Sequence, residues 1–227
     1  MTVPQFFNLI LNLIFPNVCG ICNQISKSSI CENCFIEIQK YRCIQKRKRF
    51  KNLELKLKSK IYFDEQIYFY EYKGVIRKKI IEYKFGDKPY LYKMFSESIY
   101  TRDLVDFCKK YNMIIPVPLD KKRMRNRGYN QTYLIAKQLS NLLNIIIHNQ
   151  VLYKAKNIKP QSTMNCKQER IDNIKGVFQI KKHEIINGKA VIIFDDIFTT
   201  GSTANECAKI LKENGAKKVG IITIAKD

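Results

Sequence analysis

Val191-Ile-Ile-Phe-Asp195-Asp196-Ile-Phe-Thr199-Thr200-Gly201-Ser202-Thr203 decides how this chain of 227 residues is read. Val191 to Phe194 is an unbroken apolar run, the pattern of a strand buried on both faces. Two acids stand at its carboxyl end. A Thr/Gly/Ser loop follows and opens a helix predicted over Ala204 to Asn214, with Gly215 just beyond it. Ligands of open α/β sheets bind at that end of a strand. The loop sets backbone N–H groups and hydroxyls at a helix N-terminus, where free donors and the helix dipole favour a phosphate. Gly201 lets the backbone approach closely. Two carboxylates repel phosphate, so their role beside it is to hold hydroxyls or a cation. An acid pair for vicinal hydroxyls, next to a phosphate cradle, describes a site for ribose 5-phosphate.

Outward from this run, strands and helices alternate. Ile67 to Tyr72, Met113 to Val117 and Val219 to Ala225 read as strands, and Asn144 to Leu152 as largely strand. Helices are predicted from Val75 to near Gly86, from Leu91 to Cys108, from Leu134 to Leu143, and from an Asn165/Gln168 capping box to Ile174. Residues up to Arg127 before Gly128 read as a basic loop. This alternation predicts an α/β domain with a mainly parallel sheet flanked by helices.

Lys plus Arg total 41 and Asp plus Glu 20, a net charge of +21. With 45% hydrophobic and 27% charged residues, collagenous and wholly disordered chains are excluded. Such a charge favours polyanions. Yet 32 of the bases are Lys and 33 residues are Ile, an excess that base composition alone can produce, so local clustering is the better guide. One cluster runs from Lys40 to Lys60, ten bases against Glu54; the other is Lys121, Lys122, Arg123, Arg125 and Arg127. Either is also compatible with a plain solvated face. Tyr41, Phe50, Tyr62 and Phe63 lie in or beside the first, and bases interleaved with aromatics suit single-stranded DNA.

Residues 1–35 carry one base, Lys27, and one acid, Glu32. Phe6 to Phe15 has helical apolar spacing but is far short of the ~20 residues a membrane span needs, and no secretion signal accompanies it, so a cytoplasmic chain without a transmembrane segment is expected. Cys19-Gly-Ile-Cys22 and Cys31-Glu-Asn-Cys34 are two C-x-x-C pairs. Thiolates at i and i+3 on two tight turns complete a tetrahedron, and four sulfurs in so compact a pairing favour structural Zn²⁺ over an iron–sulfur centre. A module this small would draw its folding energy from the metal. Cys43, Cys108, Cys166 and Cys207 read as ordinary thiols. The predicted organisation is an apolar leader and four-Cys zinc module over 1–45, a basic connector over 46–60, and the α/β domain over 61–227.

The 191–203 run resembles the PRPP-binding motif of type I phosphoribosyltransferases. Pro116-Val-Pro118-Leu119, Arg123 and Arg127-Gly-Tyr-Asn-Gln131 resemble a V-P-V-P…R…R-G-[FY]-N-Q stretch of the ComF (competence protein F) family. Tyr83-Lys-Phe-Gly-Asp87, Gln161-Ser162, Arg170, Asn173 and Gly176-Val-Phe178 resemble further segments of it. So does the order of leader, double C-x-x-C and transferase domain. A third C-x-x-C, common in that family, is not completed at Cys43. The resemblance implies a type I phosphoribosyltransferase fold behind a zinc-ribbon-like module. It implies that Asp195 and Asp196 hold the ribose 2′- and 3′-hydroxyls of PRPP and that Thr199, Thr200, Gly201, Ser202 and Thr203 wrap the 5-phosphate. Mg²⁺ would bind mainly through the oxygens of PRPP. Lys84, Arg123 and Arg127 are the candidates for charge on the departing pyrophosphate. No general base and no base-recognition hood stand out. Two functions therefore follow: a PRPP-binding protein of natural transformation that handles incoming single-stranded DNA, with an uptake helicase or ATPase as the implied partner, or an active purine or pyrimidine phosphoribosyltransferase of nucleotide salvage.

Overall fold

A computed structural model of the chain describes residues 17–47, 50–155, 174 and 176–227. The expected leader helix over Phe6 to Phe15, the capping box, and Gln161, Ser162, Cys166, Arg170 and Asn173 lie outside the described residues.

Among the described residues, eight strands form two sheets. The larger contains β1 (Arg42–Arg47), β2 (Glu65–Glu71), β3 (Met113–Pro116), β4 (Ile146–Ile147), β7 (Ala190–Phe198) and β8 (Lys218–Lys226), in the order β1-β2-β8-β7-β3-β4. Every neighbouring pair is parallel except the edge strand β1, which runs antiparallel to β2. The smaller sheet pairs β5 (Leu152–Lys154) with β6 (Phe178–Ile180) antiparallel. The helices are α1 (Glu32–Gln39), α2 (Lys51–Leu57), α3 (Gly74–Phe85), α4 (Leu91–Ile99), α5 (Arg102–Cys108), α6 (Lys121–Arg127), α7 (Gln131–Leu143) and α8 (Ser202–Glu213). The expected α/β fold with a mainly parallel sheet is the one found.

The near-continuous apolar strands are buried on both faces, as the 191–194 run predicts. Ile114, Ile192, Phe194, Ile222 and Ile224 face a core shared with α3, α4, α5 and α7. The alternate residues Met113, Ile115, Val191, Ile193, Val219 and Ile221 face a second core with Ala204, Cys207, Ala208 and Leu211 of α8. The module of residues 19–38 belongs to the first core: Cys19, Ile30, Cys34 and Ile38 pack with Leu91, Met94 and Phe95.

Several elements differ from expectation, each for a local reason. The helix expected over Leu91 to Cys108 breaks at Tyr100, which is extended, and Thr101 restarts it by accepting a hydrogen bond from the Leu104 N–H. The basic loop before Gly128 is a helix, α6, because Asp120 caps it by accepting from the Arg123 N–H at 2.9 Å. The strand expected over Asn144 to Leu152 divides between two sheets, after Asn144 turns the chain at φ 50°. The span 46–60, expected as a basic connector or helix, contains all of α2 and, beyond that expectation, the end of β1. Gln45, Lys46 and Arg47 pair with β2, so the basic side chains decorate a sheet edge, a placement that guards an edge strand against further pairing.

Candidate ribose-phosphate site and metal centre

β7 continues through both acids to Phe198 and lies between β8 and β3. Consecutive strand residues point to opposite faces, and the two acids divide accordingly. Asp196 is buried on the α3 side, where Lys84 Nζ lies 2.9 Å from its Oδ1. Lys84 is the second-last residue of α3. Tyr129 donates its hydroxyl to the Tyr83 carbonyl at 2.8 Å, which ties the turn after α6 to the end of α3. Arg127, from the end of α6, feels the Asp196 charge; burial lowers its own proton affinity, and Asp196 works against that. Arg123 turns instead to Asp120, with Nε 3.2 Å from Oδ2. Of the three expected pyrophosphate contacts, Lys84 pairs with Asp196, Arg127 feels its charge without a direct contact while lying over Phe85, and Arg123 is engaged by Asp120.

Asp195 has the other environment. Its Oδ1 accepts from the Asp196 N–H at 2.9 Å. Although the residue as a whole is only partly buried, the protein packed around its carboxyl, and then the neighbouring Asp196 charge, push that carboxyl up to about 7, against the pull of Lys84 and Lys154. Cys207 of α8 lies in the same electrostatic neighbourhood, its thiol pushed up by burial and by Asp195. Directly across the ladder on β8 stands Thr223, fully buried, its hydroxyl without a partner among the described residues.

The loop beyond Phe198 is built around Gly201. Its φ is +81°, and a Cβ there would stand 2.7 Å from the Phe198 ring. Only glycine fits both conditions. Thr200 Oγ1 and Ser202 Oγ are 2.8 Å apart, and the Ser202 N–H donates to Thr200 Oγ1 at 3.3 Å. Gly201, the N-cap of α8, has no side chain to cap it, and the Thr200 hydroxyl accepts from the Ser202 N–H instead, which sets hydroxyls and backbone donors together at a helix N-terminus. Asn205, one turn into α8, accepts from the Tyr62 N–H at 2.8 Å and donates to the Lys60 carbonyl at 3.0 Å. The segment before β2 is thereby strapped to the helix that follows the Gly201 loop. The arrangement offers paired carboxylates, two nearby cations and a helix-terminal loop at one strand end. A hollow of about 410 Å³ lined by Lys60, Tyr62, Asp64 and Lys212 lies toward the far end of α8 and contains none of these groups.

Sequence reading did not single out Lys154, Asp120 or Asn205. Asp120 had a signal, since an Asp three residues before the middle of a basic run is a helix cap. Lys154 had none; β5 brings it near Asp195 only through the fold.

The sulfurs of Cys19, Cys22, Cys31 and Cys34 all lie within 4.8 Å of one another, with Cys22 and Cys31 3.8 Å apart. Tetrahedral zinc at ~2.3 Å from each thiolate sets sulfurs roughly 3.8 Å apart, so the four residues fit that ion. Burial opposes ionisation of Cys19, yet backbone N–H groups of Cys22, Cys31 and Ile21 aimed at its sulfur bring it down to about 6, while burial and the neighbouring sulfurs push Cys34 up, so without a cation the four share protons. Such N–H groups, pointing at the sulfur from the turns themselves, suit a thiolate ligand. The knuckle at Gly20 presses on α4: a Cβ there would be 3.0 Å from Leu91 and Met94. No helix among the described residues is long and apolar enough to cross a membrane.

Residues 128–227 match the family model described as phosphoribosyl transferase domain. "Competence protein F" of Haemophilus influenzae is 28% identical over 223 residues, 95% of this chain and 93% of that protein. Over nearly its whole length the chain is similar to that competence protein, and its second half matches the phosphoribosyl transferase domain. "DNA utilization protein YhgH" of Escherichia coli O157:H7 is 32% identical over 108 residues, 48% of this chain and 46% of that one. "Competence protein ComFC" of Bacillus subtilis is 26% identical over 149 residues, 64% of this chain and 57% of that one. The domain match takes in Asp195 to Thr203 and stops short of Lys84, Arg123 and Arg127. A four-Cys cluster with metal-site geometry precedes the phosphoribosyl transferase domain, as the resemblance implied.

Proposed function

We propose that the chain binds PRPP with Mg²⁺ at the acid doublet and the Gly201 loop, and that it serves natural transformation by handling incoming single-stranded DNA. The homologues named competence protein F and ComFC, with the domain match, support a role of that type. The observation that favours PRPP most is continuity along the backbone. One strand delivers both carboxylates, and five residues later its loop opens a helix N-terminus at φ +81°. In this reading the hydroxyls and backbone donors of the Gly201 loop take the 5-phosphate, the carboxylates take ribose hydroxyls, and Lys84 and Arg127 face the pyrophosphate. Lys84 is held by Asp196 at 2.9 Å, so it exchanges that partner when the ligand enters. Mg²⁺ would neutralise pyrophosphate oxygens, and the acids are its nearby carboxylates. The implied protein partner is an uptake helicase or ATPase.

Calorimetry with PRPP and Mg²⁺ tests this. Binding is expected for the wild type and lost when Asp195 and Asp196 are both changed to Ala; equal affinity for the two proteins discards the assignment. Pyrophosphate release with one nucleobase from a panel would move the function to nucleotide salvage.

A further inference from the structure

Single-stranded DNA needs rings to stack on as well as cations for its phosphates. The aromatics beside the first basic run do not provide them. Phe63 is 3% exposed and meets Phe50 edge-on at 4.6 Å and Phe198 at 6.2 Å. Tyr41 is packed over the Gly74 backbone. Tyr41, Phe50 and Tyr62 are half-buried and packed against the two cores, so none of the four presents an open ring face like that of an exposed side chain.

The second basic cluster is different. Five of the seven residues of α6 are bases, and the helix buries none of its side chains. At its end Arg127 lays its guanidinium 5.2 Å from the centre of the Phe85 ring. Phe85, the last residue of α3, is 68% exposed. A single exposed ring is ordinary on a protein surface. This one is backed by a guanidinium, flanked by a cationic helix, and follows directly on Lys84, which holds Asp196. Met124, on α6 itself, adds a half-exposed apolar side chain. Asp87 is the exposed acid in the adjoining turn, and Lys88 is paired to Glu82 at 3.0 Å.

We infer that single-stranded DNA crosses α6, with phosphates on Lys121, Lys122 and Arg125 and a base stacked on Phe85, so that the strand passes alongside the ribose-phosphate site. This rests on the single-stranded DNA reading proposed above and gives it a place. The charge of α6 selects a polyanion. The open ring face selects one with unpaired bases, since a duplex buries its base faces and an acidic peptide has none.

Anisotropy of a dye-labelled thymidine oligonucleotide of about 20 residues, titrated with the full chain at low and moderate salt, tests it. Phe85→Ala is expected to weaken binding about tenfold, within the range for one lost stack, and Phe85→Trp to retain it. Lys121→Glu with Arg125→Glu is expected to weaken binding and reduce its salt dependence. The control pair Lys51→Glu with Lys58→Glu, on and beside α2, is expected to change affinity less than twofold. All these side chains are exposed, and matching thermal melts confirm that the variants fold. Wild-type binding that survives Phe85→Ala but is lost in the α2 pair overturns the assignment to α6 alone. Equal affinity for a duplex of the same length, or equally effective competition by polyglutamate, overturns the stacking. Absence of wild-type binding at low salt overturns the single-stranded DNA reading itself.

Discussion

Asp195 and Asp196 are neighbours in sequence with opposite circumstances. Asp196 is satisfied by Lys84, whereas burial holds the Asp195 carboxyl at about 7 against an ordinary value of 3.8. Between those values the unfolded chain has released a proton that the folded chain retains. The contribution of Asp195 to stability is therefore complete below about 3.8 and is lost as pH rises through about 7. Asp195→Asn removes the ionisation and keeps an acceptor for the Asp196 N–H. We expect it to raise the melting temperature at pH 8 and to leave it nearly unchanged at pH 4. Asp196→Asn strands the half-buried Lys84 ammonium and lowers the melting temperature at pH 8. Thermal melts of both variants at the two pH values check the contrast. If Asp195→Asn melts lower than wild type at pH 8, Asp195 does not carry this cost. A residue whose removal steadies the fold is one retained for binding.

At the scale of elements, the loop between β7 and α8 concentrates the constraints. Gly201→Ala must adopt φ +81° and push the Phe198 ring from 2.7 Å. A loss of about 1–3 kcal/mol of stability is expected, measured by denaturant unfolding; a cost under ~0.5 kcal/mol would mean the loop relaxes without strain. This loop was fully legible in sequence because its logic is local: apolar run, acids, glycine and helix follow one another. The same holds for Met113 to Pro116. The helix α6 was missed because its charges give no apolar face, and only the Asp120 cap betrays it. The break at Tyr100 was missed because the apolar spacing continues across it, while a threonine cap decided the matter. The position of Lys154 was beyond any reading of the chain, since β5 and β6 come together across residues far apart in sequence.

Over the whole molecule, the four-Cys cluster was legible as a metal site from its spacing. Its attachment was not, because packing against α4 depends on where the domain places that helix. Cys19, Cys34 and Ile38 share one core with the central sheet, and Ser29 donates to Glu97 of α4. About one zinc per chain is expected by elemental analysis. Because the core is shared, removal of the metal should not melt residues 19–38 alone. Chelation is expected to lower the single melting transition of the full chain, followed by circular dichroism. Two separate transitions, or an unchanged one in metal-free protein, would show the module to be independent.

The contact between Gly20 and the pair Leu91 and Met94 reaches further. It makes the cysteine turn a wall of the building and not a porch. Anyone excising the transferase half to study it by itself would uncover the greasy flank of α4, and should expect a sticky, poorly behaved fragment even though every ligand-facing group had been kept.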